Sequence, residues 1–131
     1  MFVSHGEFVI ELKADYLRVD ACGPFNQEAV EHYAAQIEQL HAQLPARWGQ
    51  LNVMHDNCLY TPQAQRVLNE LTQRRVALGL CCLAFVIPGL NSKGFMHQQL
   101  EDSYANSAVE YAFFDDVVSA QQWLEQHLLT Q

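Results

Sequence analysis

The sequence predicts an α/β domain whose elements run ββαβαβαβα around a five-stranded mixed sheet with helices on both faces. Three observations carry that prediction. Apolar residues alternate near the start of the chain, recur at helical spacing in later stretches, and fall between those stretches into short, nearly continuous runs. Strands alternating with helices imply a parallel sheet with right-handed crossovers, here joined by one antiparallel strand. The 131 residues, half of them apolar, suffice for one core, and no repeat, linker or low-complexity tract divides residues 1–131.

Phe8, Ile10 and Leu12 share one face, Ala14-Asp15 reads as a turn, and Leu17, Val19 and Ala21 alternate with Tyr16, Arg18 and Asp20. This is an opening β-hairpin. Its first strand, Phe8 to Lys13, belongs at a sheet edge because Glu7, Glu11 and Lys13 discourage further pairing. After the break at Cys22-Gly23-Pro24-Phe25, Asn26 is a suitable N-cap for a helix striped by Val30, Tyr33, Ala34, Ile37, Leu40 and Leu44 and closed by Pro45. Leu51 to Met54 is a short strand. Thr61 then caps a second helix with Pro62 at its first position, and Gly79 ends it. Ala64, Val67, Leu68, Leu71, Arg75 and Leu78 form its stripe.

Leu80 to Ile87 is the apolar run of a strand buried on both faces. A loop from Pro88 to Gly94, a short helix from Phe95 to Asn106 and a last strand from Val109 to Phe114 follow. Asp115-Asp116 suits the dipole at the start of a terminal helix, with Val117, Ala120, Leu124 and Leu128 inward and Trp123 flanking them.

Fifteen acids against seven bases give a formal net charge of -8, with the bases scattered. Nucleic acid and anionic membrane both need clustered positive charge, so neither is an expected partner. No apolar run reaches the ~20 residues of a membrane span, and no signal-peptide pattern follows Met1, so a cytoplasmic location is expected. Cys22, Cys58, Cys81 and Cys82 show no metal-ligand spacing. They read as reduced, buried, small apolar residues, with Cys81 and Cys82 on opposite faces of their strand.

The element order, the helix start Gly23-Pro24-Phe25-Asn26 and the ending Phe114-Asp115-Asp116 … Ala120 … Trp123-Leu124 resemble SpoIIAA-like proteins, relatives of the STAS domains of anti-sigma factor antagonists. The resemblance spans nearly the whole chain and implies a bacterial regulatory or binding module without an assigned activity. It also implies a fold similar to ones that hold apolar ligands. The related antagonists switch by phosphorylation of a serine at the turn before the second helix. The matching stretch here, Asp56-Asn57-Cys58-Leu59-Tyr60-Thr61, contains no serine, which argues against that switch.

Any site in such a sheet belongs at the carboxyl ends of the strands, where helix N-termini offer free N–H groups. The candidate ligand or partner rim is Phe25, Asn26, Asp56, Asn57, Tyr60, Thr61, Asn91 and Lys93. No metal, cofactor or catalytic set is expected. His55, Asp56 and Cys58 are near in sequence, but strand alternation separates His55 from Asp56 and no oxyanion glycine accompanies Cys58. His97 and Glu101, four apart, read as a solvated helix pair, and Gly89 to Gly94 lacks the phosphate-loop order and reads as a flexible rim loop whose length and two glycines suggest a lid. The leading functional reading is a non-enzymatic module that contacts a protein partner through the sheet rim and helix faces, with a homodimer as one assembly. The alternative is a carrier or sensor of a small apolar or carboxylate ligand, with Phe25, Tyr60, Phe95, Met96 and Tyr104 near it, although those side chains read first as core. A cysteine hydrolase is the outsider.

Overall fold

A computed structural model of the protein describes residues 6–87 and 93–129. Its five strands are β1 (Glu7–Leu12), β2 (Tyr16–Cys22), β3 (Trp48–Met54), β4 (Leu80–Val86) and β5 (Glu110–Phe114). They lie side by side in chain order, β1 antiparallel to β2 and the rest parallel. The helices are α1 (Gln27–Leu40), α2 (Pro62–Ala77), α3 (Lys93–Tyr104) and α4 (Val117–Leu129), with one 3-10 turn, His41–Gln43, after α1. The predicted α/β class, mixed sheet and element order all hold.

Chain order and crossover hand together decide which face each helix covers. Successive right-handed crossovers in one direction put α1, α2 and α3 on the same face. There they enclose the larger core, with Leu17, Val19, Trp48, Leu83 and Phe85 of the strands under Val30, Tyr33, Ile37, Leu68, Leu100 and Tyr104. Among the described residues α4 alone covers the other face, packing Ala120 and Leu124 on Leu51, Val53, Cys82 and Ala84. β1 is an edge strand, as its charges predict.

Two strand details depart from expectation. β3 begins at Trp48, three residues before the apolar run, because hydrogen-bonded neighbours on both sides extend a segment whose own glycine and glutamine give no strand signal. Cys81 and Cys82 do not face opposite sides. The β3–β4 register steps from Trp48↔Leu80 to Gly49↔Cys82, so Cys81 is the extra residue of a bulge. Both cysteines pack towards α4, with their sulfurs 3.7 Å apart. Cys81 is also only partly buried. α3 occupies Lys93–Tyr104, two residues earlier than the predicted span.

The helix-start signals and Gly79 work as read, whereas α1 ends at Leu40 and passes into the 3-10 turn, so Leu44, expected on its stripe before Pro45, is already extended. Asn26 Oδ1 accepts the Ala29 N–H at 2.9 Å, and Asp116 Oδ1 accepts the Ser119 N–H at 2.7 Å. Gly79 ends α2 at φ 114°, and a Cβ there would stand 2.0 Å from the Ala46 carbonyl oxygen. Thr61 Oγ1 accepts the Ala64 N–H at 3.1 Å beside Pro62. Thr61→Ala is expected to lower stability by ~1 kcal/mol and Thr61→Asp to keep most of it, since aspartate caps as well. Urea midpoints check this, and an unchanged Thr61→Ala would refute the capping role.

Candidate functional site

The carboxyl-end rim is stitched together by backbone bonds. Gly23 N–H donates to the Asp56 carbonyl (2.8 Å), Phe25 N–H to that of Leu59 (2.8 Å) and Thr61 N–H to that of Phe25 (3.0 Å). Gly23 is required at this crossing, because a Cβ there would lie 2.2 Å from the Asn57 carbonyl oxygen. Asn57 itself takes φ 51°, a left-handed position that asparagine tolerates. α3 locks the seam from above. The Gln99 side chain accepts the Tyr60 N–H (2.8 Å) and donates to the Tyr60 carbonyl (2.9 Å).

The predicted rim residues therefore divide by role. Asn26 and Thr61 come together in a shallow groove of about 300 Å³ lined also by Gln27, Glu28 and Gln63, but their side chains are spent as helix caps. Phe25 and Tyr60 turn inward, 4.8 Å apart by ring centroid, and belong to the core. Burial first, then the nearby Tyr104 hydroxyl, push the Tyr60 phenol well above its ordinary range. Asp56 and Asn57 are exposed on the turn between. Lys93 opens α3, while Asn91 and most of the Pro88 to Gly94 loop, with its suggested lid, lie outside the described residues.

Cys58 is fully buried, donates its thiol to the Ala21 carbonyl at 3.3 Å, and is pushed up to about 12 by burial. His55 bonds elsewhere: its Nε2 lies 2.7 Å from Asp20 Oδ1 on the α4 side of the sheet. Arg18 donates to both Asp20 oxygens at 3.0 and 3.2 Å. Burial raises the Asp20 carboxyl, and the bonds from Arg18 and His55 more than reverse it, leaving it below its ordinary value. His97 and Glu101 stand 3.8 Å apart as a helix pair, and the His97 ring also rests on Phe113 with centroids at 3.9 Å. Among the described residues, no group of three or more His, Cys, Asp or Glu side chains could hold a metal.

The chemistry that sequence reasoning missed is inside. Arg75, placed by its spacing on the α2 stripe, is wholly buried. Its Nη1 donates to Gln50 Oε1 (2.8 Å), and its Nη2 to Thr72 Oγ1 (3.0 Å) and Tyr104 Oη (2.5 Å). Gln50 Nε2 in turn donates to Tyr33 Oη and Asn52 Oδ1, each at 2.9 Å. The guanidinium also lies 5.5 Å from the Tyr104 ring centroid and 6.0 Å from that of Tyr33. Among the described residues no carboxylate bonds Arg75, and its Nε has no hydrogen-bond partner. The α2 C-terminal dipole, the aromatic faces and three neutral polar side chains hold the charge. The sequence signal was a lone arginine in an apolar stripe; its partners Gln50 and Asn52 carried none.

A second surface lies where β4 and β5 end. Ile87, His97, Phe113, Phe114 and Asp115 line a groove of about 230 Å³. Phe95 and Val118, in the first turns of α3 and α4 at this rim, are 74% and 66% exposed. Phe95 thus departs from the expected core set, whereas Phe25, Tyr60, Met96 and Tyr104 belong to it.

Comparison with family models, with curated proteins and with solved structures finds no match.

Two outcomes follow from these geometries. Gln50→Leu removes an acceptor from a buried charge and is expected to cost about 3 kcal/mol or more, while Gln50→Leu with Arg75→Met recovers most of that because the charge is gone too. Equal urea midpoints for the single and double variants would refute this. The depressed Asp20 carboxyl contributes stability that is present above its unfolded pKa of about 3.9 and lost as pH falls through the lower folded value. Asp20→Asn should therefore narrow the difference between urea midpoints measured at neutral pH and below about pH 3. An identical pH dependence in the two proteins would show that Asp20 contributes nothing.

Proposed function

We propose that the protein is a SpoIIAA-like, non-enzymatic binding module of the bacterial cytoplasm that acts through a protein partner at its sheet rim and helix faces. The observation that carries this reading is where apolar surface is left over. The space between the sheet and α1, α2 and α3 is filled by side chains as large as Trp48, Tyr33, Phe85 and Tyr104. Phe95 and Val118 stand exposed in the first turns of α3 and α4, at the same carboxyl-end rim as the Phe113–Phe114 groove. Apolar groups grouped at one rim suit a macromolecular contact better than an enclosed small molecule. The element order and the Phe114-Asp115-Asp116 ending support the SpoIIAA-like assignment. Among the described residues no helix is long and apolar enough to cross a membrane, in keeping with the proposed location. The high pKa and burial of Cys58 weigh against a cysteine hydrolase built on it.

Arg75 favours a second reading, a carrier of a small carboxylate. A buried guanidinium without an acid is an unusual thing to retain. It touches Thr72, which also lines a polar hollow between α2 and α3 with Ser103 and Asn69. A carboxylate entering through that seam would approach the Arg75 guanidinium from the Thr72 side.

A photo-cross-linking amino acid at Phe95, with Glu70 on the exposed side of α2 as control, separates these readings in the host cytosol. The partner reading expects one protein cross-linked from position 95 and not from position 70, with native mass spectrometry giving the bare chain mass or its dimer. Equal labelling from both positions, together with a co-purifying small acid that Arg75→Met loses, would overturn it in favour of the carrier.

A further inference from the structure

The two edges of the sheet are unequally defended. β1 carries Glu7, Glu11 and Lys13 at and beside it, and charges on an edge discourage another strand. Among the described residues β5, Glu110-Tyr111-Ala112-Phe113-Phe114, is hydrogen-bonded to β4 alone, and four of its five side chains are apolar or aromatic and only half buried. Its outward backbone groups can be assigned. The Ile87 N–H donates to the Phe114 carbonyl at 3.1 Å, so Phe114 turns its backbone groups to β4. Alternation along a strand then turns the N–H and C=O of Tyr111 and Phe113 away from the sheet. The flanking helices leave aromatic ledges on either side of this edge. Tyr111 donates to Glu101 and Phe113 rests against His97 on the α3 face, while Phe114 packs on Trp123 at 5.8 Å on the α4 face.

Charge identifies what fits there. Residues 94–129, which comprise β5, nearly all of α3 and the whole of α4, contain Glu101, Asp102, Glu110, Asp115, Asp116 and Glu125 and not one lysine or arginine. Glu110 stands at one end of β5, and Asp115 and Asp116 at the other. A second copy added antiparallel along β5 would bring Glu110 of each chain beside the aspartates of its mate, which is repulsive at both ends. Positive charge at each end of an incoming strand would be attracted instead.

We infer that β5 is a β-augmentation site for an extended peptide segment of another protein, apolar at its centre and flanked by lysine or arginine, which adds as a sixth strand. This rests on the partner-binding reading above and names the chemistry of the partner. The added strand takes its main-chain bonds from Tyr111 and Phe113 and sets its alternate side chains on the two ledges.

The probe is a synthetic nonapeptide of alternating valine and threonine with two lysines at each end, compared with the same peptide flanked by glutamates and with one broken by a central proline. The lysine-flanked peptide is expected to bind the full chain, to slow amide exchange at Tyr111 and Phe113, and to weaken as salt is raised. Phe113→Pro removes the outward N–H at an edge position where proline is tolerated and should weaken binding about tenfold or more, while Phe113→Leu keeps that N–H and stays within about twofold. Glu110→Gln with Asp115→Asn should weaken the lysine-flanked peptide and reduce its salt dependence. If Phe113→Pro fails to fold, exchange at Tyr111 and Phe113 in the parent protein decides alone. Unchanged exchange at those amides, equal binding of the glutamate-flanked peptide, or a parent protein that dimerises through β5 would each overturn the proposal. A partner cross-linked from position 95 alongside a silent β5 would sink this inference and leave the broader reading standing; no specific cross-link would sink the broader reading itself.

Discussion

A single buried guanidinium organises the larger core. Arg75 comes from α2, its acceptor Gln50 from β3 and its acceptor Tyr104 from α3, while Tyr33 of α1 joins through Gln50. All three helices on that face are thus tied to the sheet through one charge. Hydrophobic packing is non-directional and would accept several helix rotations, whereas a fork of hydrogen bonds to a buried cation accepts very few. The desolvation cost of the arginine is offset only when every helix is in place, so the network selects one packing from those that the apolar stripes allow.

Much of this fold was legible in the sequence because its signals are local. Asn26 and Thr61 announce helix starts through side chains that must meet nearby amides, Pro62 through a fixed φ and a missing N–H, and Gly79 announces an end through a φ that other residues resist. What escaped depended on neighbours distant in the chain. Trp48 and Gly49 are strand residues because β2 and β4 pair with them, and Cys81 is a bulge because β3 and β4 slip by one residue there. No pattern within either segment encodes those relations.

The candidate site was less legible, for a related reason. Polar residues at the rim advertise themselves equally whether they serve a ligand or the backbone. Asn26 and Thr61 turned out to serve the backbone, and Tyr60 the core. Phe95 read as core because aromatics usually are, yet it points outward at the rim. The sign of the charges was present throughout, but the total of -8 concealed that the last elements hold acids without bases. Where charges sit along the fold says more about a partner than how many there are.

The strand order β1-β2-β3-β4-β5 also describes how such a sheet can be assembled. Each new strand needs only the one laid before it as a template, so no earlier strand must be parted to admit a later one. The arginine network respects the same sequence: Tyr33, Gln50 and Thr72 precede Arg75 in the chain, and Tyr104 alone is added after it. α4 then seals the second face from the last position. A ribosome delivering this chain from its amino end would offer each β-α unit a finished surface on which to settle.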